Sequence, residues 1–313
     1  MIVDLPSTTT AAVNRRLVEM RESGGAIALG RVLTLVISTD DDQAEDAIAA
    51  ANDASREHPC RVLVVAPGSK RGSARLDAQI RVGGDAGASE VLVLRLYGEL
   101  ADHGDAVIVP LLLPDAPVVV WWPGQAPSVP SRDPLGAMAT RRITDSAACT
   151  RPGATLRRLA ADHAPGDTDL AWTRLTLWRA LLAAALDQAP YEPVLRATVS
   201  GASDSPSTEL LAAWLAHSLR CPVSRVRTRA GGGMSAVRLE RKSGPVELVR
   251  ASGAVAVLAQ PGQPDRRIAL PRRPLRDCLA EELRRLDPDD VYSEVLTKGL
   301  ARLAASTTKG KRP

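Results

Sequence analysis

The sequence predicts a mixed α/β protein with two domains, each a β-sheet with packed helices. Three observations support this fold class. The chain has 313 residues, 45% of them hydrophobic, which suffices for about two domains of ordinary size. Strand-like runs of β-branched residues and leucine alternate with helical patterns in the first half. In the second half, helical stripes flank short strands separated by glycine turns, which adds an α+β tendency there.

The first half contains a predicted strand–helix–strand unit. Strands are predicted over residues 31–38 and 61–66, and their stretches 32–37 and 62–66 are apolar on both faces, as in the interior strands of a helix-covered sheet. Three aspartates at 40–42 precede a helix predicted over 43–56, because acidic residues favour a helix N-terminus. Another helix is predicted over 10–21. Further strands are predicted over residues 77–82, 90–97, 106–113 and 117–122.

A stretch rich in proline and glycine, residues 123–166, predicts a boundary between the domains. The predicted organisation is an N-terminal domain over 1–124, a linker with local order over 125–166, a C-terminal domain over 167–305 and a frayed tail over 306–313.

The second half opens with a helix predicted from Asp167 or Thr168 to Asp187. Ser205 followed by Pro206 predicts the start of another helix, since serine caps and proline suits the first helical position. The remaining predicted elements are strands over 194–199, 223–227, 235–241, 246–250, 254–259 and 267–270, the last five as an antiparallel meander, and helices over 276–286 and from a cap at Asp287 and Pro288 to about 304.

The net charge of +4 combines an acidic half with a basic half. Residues 1–150 carry 14 basic and 19 acidic side chains, whereas residues 151–313 carry 26 and 17. Only 3% of the residues are aromatic and none is Phe, so the stacking surfaces that single-stranded nucleic acids need are scarce. Arginine suits bidentate pairing with carboxylates at interfaces, so we expect a protein partner and no nucleic acid.

Cysteine spacing and the N-terminal pattern bear on the compartment. Four well-separated cysteines without a CxxC pair argue against a zinc ribbon and against a disulfide framework. The N-terminus lacks the pattern of a signal peptide, and the longest apolar runs fall short of the roughly 18 residues of a membrane helix. We expect a cytoplasmic protein without membrane partner, metal or cofactor; its own oligomeric state stays open.

The sequence contains no recognisable catalytic motif, which predicts a protein that is not an enzyme. Gly68–Ser73 follows a strand and carries Lys70 and Arg71, but a Walker loop needs GxxxxGK[ST] followed by a helix, and a strand is predicted next. Gly231–Gly233 also precedes a predicted strand. No serine lies in a GxSxG sequence. The alternative is a sugar-phosphate or nucleotide-binding enzyme that uses the Gly68–Ser73 turn.

Charged side chains near the C-terminus allow a simpler interpretation than catalysis. Glu281 and Glu282 precede Arg284 and Arg285 at helical i, i+3 spacing. Such pairs are typical of a solvated helix surface, so we expect these four side chains to be exposed.

Six strings in this sequence are long and distinctive. They are HPCRVLVV (58–65), VPLLLPDAPVVVWWPG (109–124), RRITDSA (141–147), DTDLAWTRLTLWRALLAAALDQ (167–188), LLAAWLA (210–216) and CLAEELRRLDPDDVY (278–292). They resemble the OpcA family of glucose-6-phosphate dehydrogenase assembly proteins of actinobacteria and cyanobacteria, over about residues 10–300. The resemblance implies a non-catalytic protein of the oxidative pentose phosphate pathway. Such a protein would bind glucose-6-phosphate dehydrogenase as an assembly factor or allosteric activator.

The resemblance supplies no catalytic residues, so the candidate sites are partner contacts and a thiol. Trp121 and Trp122 end a predicted strand, where neighbouring side chains point to opposite faces. One of the pair is therefore expected to face away from its own sheet's core, toward the second domain or toward a partner protein. The predicted docking surface consists of Trp122, Arg141, Arg142, Arg266 and Arg267.

Cys60 is the candidate for a redox-responsive thiol. Redox control through cysteines is associated with cyanobacterial members of the family, and Cys60 lies within one of the matching strings. Its position at the edge of a predicted strand leaves simple burial as the alternative.

Overall fold

The structure is a computed structural model that describes residues 1–23, 30–83 and 90–309, with the backbone alone for residues 23 and 306–309. The described residues form helices and two β-sheets, of eight and six strands, which confirms the predicted α/β class. The described residues form two compact units: unit 1 lies within 1–148, 166–168 and 274–288, and unit 2 within 149–165, 169–273 and 289–309. The predicted domain boundaries stay predictions. Of the predicted tail, residues 310–313 lie outside the described residues.

The bounds of the elements are as follows. The strands are β1 (Ile2–Thr8), β2 (Leu33–Ser38), β3 (Cys60–Pro67), β4 (Arg75–Arg81), β5 (Glu90–Tyr97), β6 (Val118–Trp122), β7 (Arg141–Thr144), β8 (Asp167–Asp169), β9 (Arg196–Ala202), β10 (Val223–Thr228), β11 (Met234–Glu240), β12 (Val246–Val249), β13 (Val255–Ala259) and β14 (Arg266–Ala269). The α-helices are α1 (Thr10–Ser23), α2 (Ala44–Ala54), α3 (Gly104–Ile108), α4 (Pro134–Ala137), α5 (Pro152–Ala161), α6 (Leu170–Thr173), α7 (Thr176–Leu186), α8 (Pro206–Leu219), α9 (Leu275–Arg284), α10 (Asp290–Glu294) and α11 (Leu300–Lys309).

Unit 1 is built on the eight-stranded sheet, in the order β1-β4-β5-β3-β2-β6-β7-β8. The strands β5, β3, β2, β6 and β7 pair in parallel, whereas β4 and β1 continue the sheet antiparallel at one edge. Strands β2 and β3 are buried along nearly their whole length, which confirms the prediction of interior strands. Helix α2 follows the predicted acidic start and buries its alanine-rich face.

One predicted strand of unit 1 is wrong. Residues 106–113 form part of helix α3 and the 3-10 turn Val109–Leu111 instead of a strand. Pro110 lacks the N–H group that a strand ladder needs. In addition, the Leu111 carbonyl accepts a hydrogen bond from Arg61 Nη1 at 2.6 Å, so it is satisfied by a side chain. Val107, Ile108 and Leu111 of this run are therefore buried without joining the sheet, whereas Val109 is exposed.

The continuous helix expected from residue 167 or 168 to residue 187 is also wrong. Thr144 Oγ1 donates a hydrogen bond to the Thr168 carbonyl at 3.0 Å, which holds β8 at the sheet edge. Asp169 then caps the short α6, its Oδ1 atom accepting from Ala171 N at 2.9 Å. Helix α7 begins only at Thr176. A tertiary hydrogen bond thus outweighs the local helical pattern.

A buried carboxylate surrounded by three arginines lies within unit 1. Glu90 begins β5 and is 1% exposed. Its Oε2 atom accepts from Arg21 Nη2 at 2.6 Å and from Arg61 Nε at 3.1 Å, and Arg31 Nη2 lies 2.9 Å from Oε1. Burial by itself would raise the pKa of Glu90, but the Arg21 hydrogen bond and the three positive charges lower it below its ordinary value. The carboxylate is therefore ionised and links three segments of unit 1.

Unit 2 contains the six-stranded sheet, in the order β10-β9-β11-β12-β13-β14. Strands β11 to β14 form the predicted antiparallel meander, whereas β10 joins β9 in parallel. Ser205 caps α8, accepting from Thr208 N at 3.4 Å, and Pro206 takes the first helical position as predicted. The cap expected at Asp287 is wrong, because Asp289 caps α10 by accepting from Tyr292 N at 2.8 Å.

Candidate functional site

The predicted tryptophan contact is not an exposed surface. Trp122 is 4% exposed and lies in the hydrophobic core cluster of unit 1, together with Val120 and Leu135. Trp121, on the other face of β6, is fully buried as well. Neither tryptophan is exposed, since both faces of this central strand are covered. That Trp122 contacts a partner protein stays a prediction, and the burial of its side chain works against it.

Arg141 is buried in a tertiary ion pair within unit 1. Its Nε atom donates to Glu282 Oε2 of helix α9 at 3.0 Å, and its Nη1 atom donates to the Asp287 carbonyl at 2.7 Å. Glu282 is itself buried, so the expected solvated face is wrong for this residue. The pair joins α9 to strand β7. Arg141 therefore has a structural partner in its own chain.

Arg142 and Arg266 are also engaged within their own units. Arg142 is buried, pairs with Asp167 and donates from Nη1 to the Ala139 carbonyl at 3.0 Å. Arg266 is half-buried and donates a hydrogen bond to Gln260. Their role in partner contact stays a prediction, but these hydrogen bonds compete with any such contact.

Cys60 is the first residue of β3 and is fully buried. None of the four cysteines, all of which lie in the described part of the chain, forms a disulfide. Because oxidation follows exposure and thiolate character, burial works against a responsive role for Cys60. The redox role stays a prediction.

The two glycine turns lead into strands, as predicted. The Gly68–Ser73 turn connects β3 with β4, and Lys70 Nζ pairs with Asp102 Oδ1 at 2.6 Å on the surface. A Cβ on Gly68 would lie 2.5 Å from the Tyr97 ring, so this turn packs closely against the end of β5. Gly231–Gly233 connects β10 with β11. Neither turn supplies the helix N-terminus of a Walker loop.

The six-stranded sheet of unit 2 presents one face that is only partly covered. Its other face belongs to the core cluster, through residues such as Val199, Leu239 and Leu258. Side chains alternate along each strand, so the intervening residues share the opposite face, which we call the open sheet face. It consists of Thr198, Ser200, Ala236, Arg238, Glu240, Glu247, Val249, Val255, Val257, Ala259 and Arg267.

The open sheet face combines an ion-pair cluster with aliphatic side chains. Arg238 Nε donates to Glu240 at 2.6 Å, and Arg238 also pairs with Glu247 on the neighbouring strand. These hydrogen bonds raise the pKa of Arg238 above its ordinary value. Beside them, Val249 is paired in register with Val257, which is paired with Arg267. The open sheet face thus combines aliphatic side chains with charged side chains that already have ion-pair partners.

Sequence reasoning placed one residue of this face among the candidates, Arg267, and missed the rest. The available signal was the period-2 alternation along residues 234–259, which indicates strands with one exposed face.

An exposed aromatic residue was missed as well. Tyr191 is 82% exposed, and the adjacent Glu192 accepts a hydrogen bond from Ser243 N at 3.0 Å in the β11–β12 turn. Tyrosine is a favoured residue of interface hot spots.

Two further properties concern other kinds of site. Within residues 1–23, 30–83 and 90–309, no group of three or more His, Cys, Asp or Glu side chains is placed to hold a metal ion. In the same described ranges, every helix is too short or too polar to cross a membrane.

Similar solved structures are distant. KijD10, a 3-ketoreductase from Actinomadura kijaniata in complex with NADP, is 10% identical with a TM-score of 0.49, covering 88% of this chain and 97% of that chain. Glucose-6-phosphate 1-dehydrogenase from Mycobacterium avium is 11% identical with a TM-score of 0.42, covering 90% and 93%. No curated protein matches the chain.

The described residues define the class of protein, an α/β protein with two compact units, one of which has a sheet face that is only partly covered. Family models then specify it further. The model described as glucose-6-phosphate dehydrogenase subunit N-terminal domain matches residues 51–161, and the model described as its C-terminal domain matches residues 165–296. The chain belongs to this OpcA family of glucose-6-phosphate dehydrogenase subunits. Membership supports an assembly or activator role and does not favour the enzyme that would use the Gly68–Ser73 turn.

Proposed function

We propose that this chain is a non-catalytic subunit that binds glucose-6-phosphate dehydrogenase and activates it by stabilising its active assembly. The observation that carries the proposal is the match of both family models, which together cover most of the chain. Activation then requires only that the chain bind the active state of the enzyme more tightly than the inactive state. No group transfer by the chain itself is needed.

The proposal includes the compartment and the kind of partner. The chain acts in the cytoplasm, beside the dehydrogenase of the pentose phosphate pathway, and it binds protein rather than nucleic acid. The scarcity of aromatic residues supports the second point, because base stacking needs rings.

Kinetic measurements test the activator role. We expect dehydrogenase activity to rise and then saturate as the chain is added, while the chain alone does not oxidise glucose 6-phosphate with NADP. Native mass, measured in parallel, is expected to show a complex of the two proteins and a larger share of the active oligomer. Turnover by the chain alone, or unchanged enzyme activity and mass, would contradict the proposal.

Within the proposed function, the open sheet face is the docking surface for the dehydrogenase. Interfaces combine an apolar centre with a polar rim, and this face places Val249 and Val257 beside the Arg238 ion-pair cluster. The predicted Arg267 lies on the same face. Exposed Tyr191 adds an aromatic side chain of the type found in hot spots.

We expect Val249→Asp to weaken the complex. Val249 is 39% exposed and side by side with Val257, so an aspartate there would introduce a charge that must be desolvated on docking. A loss of about 2 kcal/mol, or roughly thirtyfold in Kd, is the scale of a hot-spot substitution. Calorimetric titration of the dehydrogenase measures it, and Arg267→Glu is expected to act in the same direction.

Val291→Asp is the matched control for this prediction. Val291 is 49% exposed on α10 in the same unit, away from the sheet strands, and an acidic residue in the first turn of a helix is well tolerated. We expect wild-type affinity for this variant. If Val249→Asp and Val291→Asp bind the dehydrogenase equally well, the docking surface lies elsewhere.

The redox part of the proposal concerns Cys60. The family resemblance supports it, whereas the burial of the thiol requires β3 to open before an oxidant can react. We expect Cys60→Ser to abolish any difference between activation in oxidising and in reducing buffer. A difference that persists in this variant assigns the response to another group.

A further inference from the structure

Unit 2 contains a cleft of about 380 Å³ at the carboxyl ends of the parallel strands β9 and β10. Strand β9 leads into α8, and α8 returns the chain to the start of β10. The N-terminus of α8 therefore lies beside the ends of both strands, which are joined by a hydrogen bond of 3.2 Å from Ser203 N to the Thr228 carbonyl. Ligands of open α/β sheets bind beyond the carboxyl ends of the strands.

Two helices of ordinary length begin at this cleft. Helix α8 has 14 residues and α5 has 10, and the first turns of both line the cleft. Each helix starts with proline, at Pro152 in α5 and Pro206 in α8. The unsatisfied N–H groups of a first turn carry partial positive charge and favour an anion. Both helix dipoles thus favour a negative ligand here.

The charged side chains of the cleft are mainly arginines. Arg225 is engaged with Glu209 at 3.0 Å, and Asp204 accepts a hydrogen bond from Gly231 N at 3.1 Å. Both lining carboxylates therefore already have partners. The side chains of the other arginines have no hydrogen bond or ion pair with any described residue; these are Arg151, Arg157 and Arg227. The excess of positive charge is available to a ligand.

A buried hydroxyl group provides an independent indication of a ligand. Thr208 lines the cleft and is 5% exposed, and its Oγ1 atom has no hydrogen-bond partner among the described residues. This oxygen faces Gly201, since a Cβ built on Gly201 would lie 2.2 Å from it. Buried hydroxyl groups are normally satisfied, so an unsatisfied one in a cleft indicates an absent partner. The missing side chain at Gly201 leaves the space that this oxygen itself occupies.

We propose that this cleft binds the phosphate group of a phosphorylated small metabolite, through Arg151, Arg157, Arg227 and the Thr208 hydroxyl. Arginine forks and helix N-termini are the recurrent ligands of phosphate in proteins. A volume of about 380 Å³ lies within the range of about 300–1,000 Å³ for small-molecule sites. The inference goes beyond the proposed function, because it concerns a ligand of the chain itself and not the dehydrogenase.

Titration calorimetry of the full chain tests the site, with inorganic phosphate and glycerol 3-phosphate as probes. We expect saturable binding of both, with glycerol 3-phosphate the tighter. The double variant Arg157→Gln, Arg227→Gln is expected to bind at least about tenfold more weakly, since it removes two charged donors. Thr208→Val is expected to weaken binding of both probes. Thr208→Ser keeps the hydroxyl group and is therefore expected to keep the wild-type affinity.

The control is Arg196→Gln, an exposed arginine at the start of β9 that does not line the cleft. Its affinity for both probes is expected to equal that of the wild type. The proposal is overturned if neither probe binds saturably, if Arg196→Gln loses as much affinity as the double variant, or if a hexaglutamate peptide binds while both phosphates do not. Circular dichroism melts show that each variant is folded, and the Arg157 and Arg227 substitutions are at exposed positions.

Discussion

Replacing Glu90 by glutamine is expected to lower the stability of unit 1 by about 3 to 5 kcal/mol. Removing one member of a buried ionic group leaves the remaining charges desolvated without compensation, and losses of this size are typical. Here three arginines converge on one carboxylate, and Arg61 is nearly as buried as Glu90. Hydrogen exchange of the β3 and β5 amides during urea denaturation measures the loss in unit 1 specifically.

The acid dependence of this stability has a defined sign. The pKa of Glu90 is lowered in the folded state, so its contribution is present above the unfolded value of about 4.3 and is lost as the pH falls through the folded value. We therefore expect the stability difference between wild type and Glu90→Gln to shrink below about pH 4. A difference that stays constant down to pH 2 would show that ionisation of Glu90 is not its source.

Glu99→Gln is the matched control for Glu90→Gln. Glu99 is an exposed glutamate that follows the same strand, and surface substitutions of this kind change stability by no more than about 0.5 kcal/mol. If the two glutamine variants were equally stable, the arginine cluster would not stabilise unit 1.

Replacing Arg141 by methionine is expected to cost about 3 to 5 kcal/mol as well, and to loosen α9. The change removes a guanidinium group from the buried Glu282 carboxylate and a donor from the Asp287 carbonyl. Hydrogen exchange of the α9 amides is expected to accelerate more than that of β2. The same measurement shows whether α9 depends on this pair for its position in unit 1.

Two further variants make the Arg141 prediction decisive. Arg276→Met is the control, because Arg276 is an exposed arginine of helix α9 whose Nη1 atom lies 3.8 Å from Asp53 Oδ2. Exposed ion pairs contribute at most about 1 kcal/mol, so this variant is expected to lose no more than that in stability. The double variant Arg141→Met, Glu282→Met is expected to recover part of the loss, because an apolar pair can replace a buried ion pair. A double variant less stable than Arg141→Met alone would refute this explanation.

The elements that the sequence predicted correctly are those with strong local signals. Ser205 and Pro206 fix the start of α8, and glycine turns separate the meander strands at the positions that the alternation indicates. The misassigned segments are those decided by distant partners. Residues 106–113 are apolar enough for a strand, but Pro110 and the bond from Arg61 to the Leu111 carbonyl exclude it.

The candidate site was predictable only in part, for a related reason. Of the arginines predicted for one docking surface, Arg267 is exposed on a strand, whereas Arg141 and Arg142 are buried. An arginine at a surface and an arginine in an ion pair look identical in a sequence. The cleft of unit 2 was not predicted at all, because its residues come from three separate segments of the chain.

By itself, the sequence determined the α/β class, most of the elements and, through its distinctive strings, the family of this protein. Helical and strand periodicity act over a few residues, so they can be read locally. Only the tertiary structure decided which charges are buried. Glu282, the partner of Arg141, lies 141 residues further along the chain, and only the folded chain brings these two side chains together. The same holds for the open sheet face, which exists because neighbouring strands align in register.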